Sequence, residues 1–269
     1  MQQRIIHTDC IAGLTNLQEP ISVIVTSPPY NIGLKYHGGR DDKTDYLAWM
    51  ESVFIACEKV LSDKGHFFLQ VGGIASRPLI PWEVLSRALA IGFVLQNEIV
   101  WIKSISISDQ SEDSYGHFKP VPGKRLLTGT HEFIFHLTKT GNEPVDRLAV
   151  GVPLKYKSNL IRHDKSCEGP RPDVRCRGNS WFIPYETIQS KADRRNHPAV
   201  FPTALPEMCI KLAGVPKGSL IVDPFLGTGT TLVACRRLGM RGIGFDISGE
   251  YCKIAEARII EENQCPKSR

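Results

Sequence analysis

The chain has 269 residues, of which 42% are apolar, and it carries a net charge of +5. This length and apolar content are ample for a sizeable core, and they fit one catalytic domain with a smaller insertion better than two independent domains. No apolar run reaches the ~18 residues of a membrane span, and the amino-terminal residues lack the apolar stretch of a secretory signal, so we expect a cytoplasmic protein.

The first half of the chain alternates predicted strands and helices, as the chain of an α/β sheet does. Residues 21–25 form a continuous β-branched run, which is typical of a strand buried on both faces. Apolar periodicity, glycine and proline predict strands at 4–8, 21–25, 66–71, 93–101 and 131–138, and helices at 46–61 and 81–90. The polar stretch 103–129 is predicted to be a mobile loop.

The pattern of the second half is interrupted before it becomes regular again. Prolines, glycines and charged residues remove any regular period from about residue 141 to 195. Regularity returns with predicted helices at 206–213, 230–238 and 250–260 and strands at 220–222 and 242–245. We therefore predict one α/β domain in three parts, which are residues 1–140, an irregular insert at 141–195, and residues 196–269.

Positive charge is concentrated in the predicted insert. Between residues 151 and 195 there are ten basic and five acidic side chains, which accounts for the whole net charge of the chain. A charge run is commonly a solvated face, but concentration in one segment is typical of a polyanion-binding insert. The candidates for polyanion contact are Lys155, Lys157, Arg162, Arg171, Arg175 and Arg177.

The eight cysteines contain no Cys-x-x-Cys pair, and several lie inside apolar helical patterns. We therefore expect reduced, mostly buried thiols rather than disulfides. His163, Cys167 and Cys176 are irregularly spaced and one ligand short of a tetrahedral zinc site, so no metal site is predicted.

A glycine-containing turn follows the predicted strand at 220–222 and opens the helix at 230–238. Its sequence at 223–231 is Asp-Pro-Phe-Leu-Gly-Thr-Gly-Thr-Thr. Glycine lets the backbone of such a turn approach a ligand closely, and a helix amino terminus adds unpaired N–H groups. The Gly-Lys-Ser/Thr ending of a Walker loop is absent, which disfavours a phosphate ligand, although a simple tight turn would have the same composition.

Asp246 follows the predicted strand at 242–245, some twenty residues after the glycines. An acid at this place in a βαβ unit can accept hydrogen bonds from ribose hydroxyls, although it could equally cap the helix at 250–260. Together, the turn and Asp246 favour a cofactor that carries a nucleoside and lacks a pyrophosphate.

Residues 26–30, Thr-Ser-Pro-Pro-Tyr, follow the predicted strand at 21–25. The two prolines fix the backbone, so the Ser27 hydroxyl and the Pro28 carbonyl are held rigidly beside the ring of Tyr30. Hydrogen-bond acceptors next to a stacking ring suit a planar heterocycle that bears an amino group. Taken alone, the segment could also be a proline turn that ends a strand.

The order of these motifs resembles that of the DNA amino-methyltransferases, and in particular of their β group. Ser-Pro-Pro-Tyr-Asn-Ile-Gly stands at 27–33, and Asp-Pro-Phe-x-Gly-x-Gly-Thr-Thr lies near the carboxyl end. The His-Thr-Asp-Cys of residues 7–10 resembles the family's Gly-Asp-Cys block, with Thr8 in place of the usual glycine. The His-Pro-Ala-Val-Phe-Pro of residues 197–202 resembles the segment that covers the cofactor. The resemblance is weakest over about 141–190, where such families carry their target-recognition region.

The resemblance implies a three-layer, Rossmann-like methyltransferase fold, circularly permuted, with S-adenosylmethionine as cofactor and double-stranded DNA as substrate. The 1–140 part would be the catalytic half, 141–195 the target-recognition insert that grips DNA, and 196–269 the cofactor-binding half. The resemblance also suggests a homodimer and a cognate restriction endonuclease, neither of which the sequence itself shows.

Carried over residue by residue, the resemblance assigns roles to both motifs. Catalysis falls to Ser27, Pro28, Pro29 and Tyr30, where Ser27 and the Pro28 carbonyl accept hydrogen bonds from the target amino group and Tyr30 stacks on the flipped base. Cofactor binding falls to Asp9, Pro198, Phe201, Asp223, Phe225, Gly227, Gly229, Thr230 and Asp246.

The identity of the target base rests on Ser27. Asp or Asn at this position usually accompanies adenine methylation in the family, whereas Ser favours methylation of cytosine at N4. Adenine N6 stays open as the alternative, because both bases present a similar NH2 group to the same acceptors. No cysteine stands in a Pro-Cys context, which argues against carbon-5 methylation of cytosine.

Other hypotheses keep part of this interpretation. Related Pro-Pro-Tyr motifs occur in methyltransferases that act on RNA adenine or on protein glutamine. A non-catalytic nucleic-acid-binding module would be expected to have a damaged cofactor turn, whereas residues 223–231 look intact. A nicotinamide dehydrogenase is disfavoured, because no Gly-x-Gly-x-x-Gly follows a strand.

Overall fold

The computed structural model describes residues 2–36, 39–108, 112–116, 121, 123–154, 173–184 and 201–264. The strands are β1 (Gln3–His7), β2 (Ile21–Thr26), β3 (Lys35–Tyr36), β4 (Gly39–Arg40), β5 (Leu61–Val71), β6 (Val94–Ile102), β7 (Ser104–Ser108), β8 (Glu112–Gly116), β9 (His131–Thr138), β10 (Val152–Pro153), β11 (Val174–Arg175), β12 (Ser180–Phe182), β13 (Leu220–Asp223) and β14 (Arg241–Asp246). The helices are α1 (Cys10–Thr15), α2 (Tyr46–Val60), α3 (Ile80–Ile91), α4 (Ala204–Ala213), α5 (Thr230–Leu238) and α6 (Gly249–Gln264). Within these ranges no helix combines the length and apolarity needed to cross a bilayer.

Eight of the strands form one sheet in the order β1-β14-β13-β2-β5-β9-β6-β12. All neighbouring pairs are parallel except β5–β9 and β9–β6, so β9 alone among the eight runs against the others. This arrangement confirms the predicted, mainly parallel α/β sheet. Because β2 lies beside β13, the segments that follow these two strands meet at one edge of the sheet.

Helices cover both faces of the sheet, which confirms the predicted three layers. One core lies under α1, α2 and α3 and includes Phe54 and Phe67. The other lies under α4 and α5 and includes Phe68 and Trp101. Phe67 and Phe68 are successive residues of β5, so their side chains point to opposite faces and one strand supplies both cores.

One helix was missed by the prediction, and the end of another affects the strand that follows it. Helix α1 was not predicted, because its six residues are too few to display an apolar period. The predicted helix at 46–61 ends at Val60, and Leu61 instead begins β5. The apolar side chain of Leu61 fits the period of a helix as well as that of a strand, and it packs in the core under α1, α2 and α3.

The prediction of a mobile loop at 103–129 was wrong over part of its length. Strands β7 and β8 pair antiparallel, with Ser104 opposite Gly116. The Ser-Ile-Ser-Ile-Ser sequence of β7 alternates with the period of a strand, a signal that the polar composition of the whole stretch obscured.

The predicted irregular insert contains short strands where it is described. Strands β10 and β11 pair antiparallel, while β12 joins the main sheet beside β6. Trp181 of β12 is buried in the core under α4 and α5, so the insert contributes to that core. Residues 155–172 and 185–195 of the insert lie outside the described residues.

Candidate active site

A cavity of about 250 Å³ lies at the carboxyl ends of β1, β14, β13 and β2. The segments after these strands form most of its wall, together with residues around β3, β4 and the start of α2. The residues that line it are 8–10, 27–31, 36, 39–41, 43, 46, 49, 201, 224–228, 245–248 and 251. The predicted catalytic segment and the predicted cofactor turn therefore share one cavity.

The predicted site residues fall into three groups by position. Those that line the cavity are Asp9, Ser27, Pro28, Pro29, Tyr30, Phe201, Phe225, Gly227 and Asp246. Those that lie behind the cavity wall are Asp223, Gly229 and Thr230. Pro198 lies outside the described residues, so its predicted place over the cofactor stays a prediction.

The cofactor turn has the backbone that its glycines predict. Gly227 and Gly229 have φ angles of 53° and 84°, which residues with a Cβ rarely adopt. A Cβ on Gly229 would also stand 2.7 Å from the Cβ of Ala255 in α6. The amide of Leu226 donates to the carbonyl of Phe245 at 2.9 Å, which holds the turn against β14.

Asp223 organises the turn from behind. Its Oδ1 accepts hydrogen bonds from the Thr26 hydroxyl at 2.5 Å and from the Phe225 amide at 3.0 Å. Its Oδ2 accepts one from the Thr231 hydroxyl at 2.6 Å. Burial raises the pKa of the Asp223 carboxyl to about 6, and these three donors oppose that rise. Asp223 thus joins the end of β2 to the start of α5.

Asp246 joins the two segments, 224–228 and 245–248, that form one part of the cavity wall. This part is called the cofactor side below. Its Oδ2 accepts a hydrogen bond from the Gly227 amide and its Oδ1 one from the Ser248 amide, both at 2.8 Å. Burial raises the pKa of this carboxyl. The hydroxyl of Ser248 accepts a hydrogen bond from the Tyr251 amide at 3.4 Å, so Ser248 rather than Asp246 caps α6. A carboxylate oxygen accepts more than one hydrogen bond, so Asp246 can also receive a ligand hydroxyl.

Asp9 lines the cavity just after β1, the strand that pairs with β14. Its Oδ1 accepts hydrogen bonds from the Ile11 amide at 2.9 Å and from the Ala12 amide at 3.3 Å, which caps α1. Cys10, the next residue, also lines the cavity, and burial raises the pKa of its thiol to about 12. The thiol is therefore protonated at neutral pH, which does not suit a nucleophile.

Residues 27–31 form the other part of the cavity wall, called the base side below, and a connected polar network lies against it. The hydroxyls of Ser27 and Tyr30 lie 3.2 Å apart. The Tyr30 hydroxyl lies 2.9 Å from Gln70 Oε1 and 3.1 Å from Glu132 Oε2, and it can donate to either. Gln70 Nε2 also donates to Glu132 Oε2, and Lys103 Nζ lies 2.6 Å from Glu132 Oε1. The sequence analysis identified Ser27 and Tyr30 but missed the three residues that hold them.

Two residues after the double proline, the backbone takes a conformation that is uncommon for a non-glycine residue. Asn31 has a φ angle of 57°, the only positive value at a non-glycine residue among those described. Its side-chain amide donates to the carbonyl of Lys43 at 3.0 Å, and the Arg77 guanidinium donates to the carbonyl of Asn31 at 2.9 Å. The Tyr46 hydroxyl donates to the carbonyl of Pro29 at 2.7 Å. These contacts fix the segment that carries Ser27 from its carboxyl side.

Aromatic side chains that the sequence analysis did not select complete the wall. Trp49 of α2 packs edge-on against Phe225 of the cofactor turn, with ring centroids 5.6 Å apart and planes at 61°. Tyr46 and Tyr36 lie nearby, and burial followed by the charge of Asp41 raises the pKa of both phenols. Trp49 and Tyr46 stand in the predicted helix at 46–61, but periodicity alone does not distinguish a cavity wall from a core.

Asp41 offers the clearest acceptor for a ligand. Its side chain is buried and lines the cavity, and its Oδ2 accepts a hydrogen bond from the Ile32 amide at 3.3 Å. Its Oδ1 is buried without a hydrogen-bond partner among the described residues. A buried carboxylate oxygen in this state favours a ligand that brings an N–H group. A cofactor or base that carries an amino group fits this cavity.

The predicted polyanion contacts are described only in part. Arg175 is exposed, as a phosphate contact requires, and its guanidinium donates to the carbonyl of Cys176 at 3.3 Å. Arg177 is half-buried and donates to the carbonyl of Val150 at 2.9 Å, so it also holds the insert. The other candidates lie outside the described residues, namely Lys155, Lys157, Arg162 and Arg171.

Known proteins resemble this chain over nearly its whole length. The sequence profile of a DNA methylase family, named for N6 and N4 methyltransferases, matches residues 21–257. The type II methyltransferase M.ScaI of Streptomyces caespitosus is 30% identical over 267 residues, which cover 96% of this chain and 81% of that protein. The DNA adenine methyltransferase YhdJ of Escherichia coli (strain K12) is 29% identical over 262 residues, which cover 95% of this chain and 82% of that protein.

Solved structures agree with the fold. The PvuII DNA methyltransferase, described as cytosine-N4-specific, matches with a TM-score of 0.68 at 20% identity, over 96% of this chain and 86% of that one. The structure of an M1.HpyAVI–SAM complex matches with a TM-score of 0.57 at 21% identity, over 96% of this chain and 100% of that one. The chain therefore belongs to the N6/N4 family of S-adenosylmethionine-dependent DNA methyltransferases.

Proposed function

We propose that this chain transfers a methyl group from S-adenosylmethionine to the exocyclic amino group of a base flipped out of double-stranded DNA, with cytosine N4 preferred to adenine N6. The observation that carries the proposal is the shared cavity, where Ser27 and Tyr30 line one side and the turn at 224–228 lines the other. A base held at Ser27 would face a cofactor held at the turn. This placement converts an encounter of two molecules into a reaction between aligned neighbours.

The cofactor side offers a suitable group for each part of S-adenosylmethionine. Phe225 and the backbone of Gly227 would hold its methionine part, and Asp246 would accept hydrogen bonds from its ribose. Asp9 would lie near its adenine, and Phe201 would cover it. Asp223, Gly229 and Thr230 would act from behind by shaping the turn. Asp41, whose Oδ1 is buried without a partner among the described residues, would accept a hydrogen bond from an amino group of the cofactor or the base.

The chemistry needs acceptors and alignment rather than a nucleophile of the protein. The bound cofactor supplies a methyl group on a positively charged sulfur. Ser27 Oγ and the Pro28 carbonyl would accept hydrogen bonds from the target NH2 group, which turns the nitrogen lone pair toward the methyl group. Tyr30 would stack on the base and hold its plane. The amino nitrogen would gain the methyl group as the methyl–sulfur bond breaks, S-adenosylhomocysteine would leave, and the nitrogen would lose one proton to water. No bond to the protein would form.

The preference for cytosine rests on Ser27 as the first residue of the motif. The named relatives include both an adenine methyltransferase and a cytosine-N4-specific enzyme, so likeness alone leaves the base open. A neutral hydroxyl accepts a hydrogen bond from either base. Product analysis separates the two, as described below.

The basic insert would bind the DNA backbone. Lysine and arginine give salt-dependent affinity for phosphates, and contacts to base edges add sequence preference. One of the named relatives, M.ScaI, is described as a type II methyltransferase. We infer on this ground that a cognate restriction endonuclease accompanies the chain and that its methylation protects the shared recognition sequence.

The test is incubation of the purified chain with labelled S-adenosylmethionine and unmethylated genomic DNA, followed by mass spectrometry of the nucleosides. We expect N4-methylcytosine. N6-methyladenine alone would overturn the preference for cytosine and leave the fold and the mechanism in place. Absence of any methylated base, with the cofactor still bound, would overturn the proposed substrate.

A pair of serine variants links the product to the proposed site. Ser27→Ala removes the hydroxyl acceptor, and we expect label incorporation to fall at least about tenfold. Ser52→Ala is the matched control, because Ser52 lies on the exposed side of α2 and its hydroxyl donates only to the carbonyl of Ala48. Equal incorporation by the two variants would contradict the assignment of Ser27.

A further inference from the structure

We propose that Glu132 is a positioning residue: it takes the hydroxyl proton of Tyr30 in a hydrogen bond, so that Ser27 donates to Tyr30 and presents an acceptor to the target amino group. This inference rests on the proposed function and extends it to a residue outside the motifs. Glu132 is the second residue of the strand β9 and does not line the cavity.

The direction follows from the protons available. A carboxylate only accepts, and the Tyr30 hydroxyl has a single proton to give. Glu132 Oε2 and Gln70 Oε1 both lie within reach of that proton, at 3.1 and 2.9 Å. Once the proton points to them, the phenol oxygen can only accept from Ser27, whose hydroxyl lies 3.2 Å away. The remaining lone pairs of Ser27 Oγ then face the cavity as acceptors.

Glu132 is held in place by charge and by space. Its side chain is 10% exposed, and the ammonium of Lys103, itself 18% exposed, lies 2.6 Å away and balances the buried carboxylate. Gly72 leaves the room that the carboxyl occupies, since a Cβ there would stand 2.5 Å from Glu132 Cδ. Gln70 Nε2 donates to the same carboxylate, so three donors surround it.

The topology brings this network to the cavity. Gln70 lies near the carboxyl end of β5, and Lys103 follows the carboxyl end of β6. β9 runs against both strands, so Glu132 near its amino end reaches the same edge of the sheet. The antiparallel strand therefore places an acid beside Tyr30, although 102 residues separate the two in the chain.

The decisive variant is Tyr30→Phe, which keeps the ring for stacking and removes only the hydroxyl that connects Glu132 to Ser27. We expect turnover at saturating S-adenosylmethionine and genomic DNA to fall about tenfold, the effect of one lost hydrogen bond. The KM for S-adenosylmethionine should stay unchanged. Turnover at the wild-type rate would overturn the proposal, whatever the behaviour of other variants.

A double-mutant cycle with Glu132→Gln tests the direction itself. Glutamine keeps the size of the side chain but can donate to Tyr30, so we expect a similar loss of turnover. The double variant should be no slower than either single variant, because all three break one chain of hydrogen bonds. Losses that multiply in the double variant would overturn the proposal, as would a lowered melting temperature with unchanged turnover.

Two comparisons keep the outcomes separate. Glu207→Gln is the control, since Glu207 of α4 pairs with Arg237 of α5 at 3.2 Å, does not line the cavity and should leave turnover unchanged. The wild-type product is analysed in the same experiment. A methylated base from the wild type, with no effect of Tyr30→Phe, overturns this inference alone. Absence of methylated base from the wild type overturns the proposed function and this inference with it.

Discussion

The two sides of the cavity are held by different kinds of contact. On the cofactor side, the turn after β13 is fixed by backbone amides that donate to Asp223 and Asp246, on strands that neighbour each other in the sheet. On the base side, Tyr30 is fixed by side chains from β5 and β9, and Lys103 reaches the same network. The cofactor side is therefore held by backbone amides that donate to two carboxylates, and the base side by contacts between side chains.

This difference suggests that the two sides respond differently to substitution. On the cofactor side, a substitution acts by changing the shape of the turn, because carboxylates hold its amides. A side-chain network loses its polarity when one member changes, even if the fold is intact. Asp223 is the exception, because it accepts from Thr26 on the base side as well as from Phe225 and Thr231 on the cofactor side.

The largest effect is expected from Asp223→Ala. The variant leaves three buried donors without an acceptor, and each unpaired group costs about 1–3 kcal/mol. We expect the free energy of unfolding to fall by about 3–5 kcal/mol, measured by urea denaturation, together with loss of cofactor binding.

Asp223→Asn separates the shape of this residue from its charge. The amide oxygen can accept from Thr26 and Phe225, and the Thr231 hydroxyl can turn to accept from the amide nitrogen. Since burial already disfavours the charged carboxyl, whose pKa is raised to about 6, we expect Asp223→Asn to keep most of the stability. Equal losses in both variants would mean that the charge itself is required. Asp63→Ala, at a fully exposed side chain, is the control.

The next effect isolates the cofactor side. Asp246→Ala removes the acceptor for the Gly227 and Ser248 amides and for the proposed ribose contact. Hydrogen bonds to a charged group contribute about 1.5–3 kcal/mol, so we expect the Kd for S-adenosylmethionine to rise about 10- to 100-fold. Calorimetry measures this directly. An unchanged Kd would refute the role assigned to Asp246.

The mirror experiment isolates the base side. Tyr30→Ala removes the proposed stacking surface, and base stacking on an aromatic ring contributes about 1–3 kcal/mol. Since the hydroxyl is lost with the ring, we expect kcat/KM for DNA to fall at least as far as turnover does in Tyr30→Phe, about 10- to 100-fold. The Kd for S-adenosylmethionine should stay within about twofold of the wild type. A loss of cofactor affinity equal to that of Asp246→Ala would show that the two sides are not separable.

The same contrast explains what could be predicted from the sequence. The turn at 223–231 and the segment at 26–30 are continuous stretches, so their conformation and shared edge follow from local patterns and the strand before each. Glu132 and Lys103 join the site only through the sheet order and the reversed direction of β9, which no local pattern encodes. Asp223 was placed in the correct turn, but the direction of its side chain, away from the cavity, depends on Thr26 at a distance of 197 residues.

A smaller effect is expected from Arg258→Met behind the cofactor turn. Arg258 Nη1 of α6 lies 2.5 Å from the carbonyl of Thr228, 3.0 Å from its hydroxyl and 3.1 Å from that of Thr230, and it donates to this cluster. Losing this support should loosen the turn and raise the KM for S-adenosylmethionine about five- to tenfold with little change in kcat. Lys253→Met, on the exposed face of the same helix, is the control. A fall in kcat alone would contradict a role on the cofactor side.

The smallest effect concerns pH, and it acts on the strands beneath the base side. His136 of β9 is buried, with His66 Nδ1 3.0 Å from its Nε2 and the Asn97 amide 2.9 Å from its Nδ1. Burial lowers the pKa of His136 to about 3 and also lowers that of His66. Below a pH of about 6.5 the unfolded chain binds protons that the folded chain excludes, so stability is lost as the pH falls.

For His136 alone, this loss is on the order of 1 kcal/mol between pH 7.5 and 6.0. Asp223 acts in the opposite direction, because its raised pKa lets the folded state bind a proton first and gain a smaller amount of stability over the same range. His136→Gln removes the first effect and keeps an amide for His66 and Asn97. We therefore expect the stability advantage of the wild type over this variant, measured by urea denaturation, to shrink by on the order of 1 kcal/mol between these pH values. A constant difference would mean that His136 titrates alike in both states. In that case, acidification would not weaken the strands beneath the base side through His136.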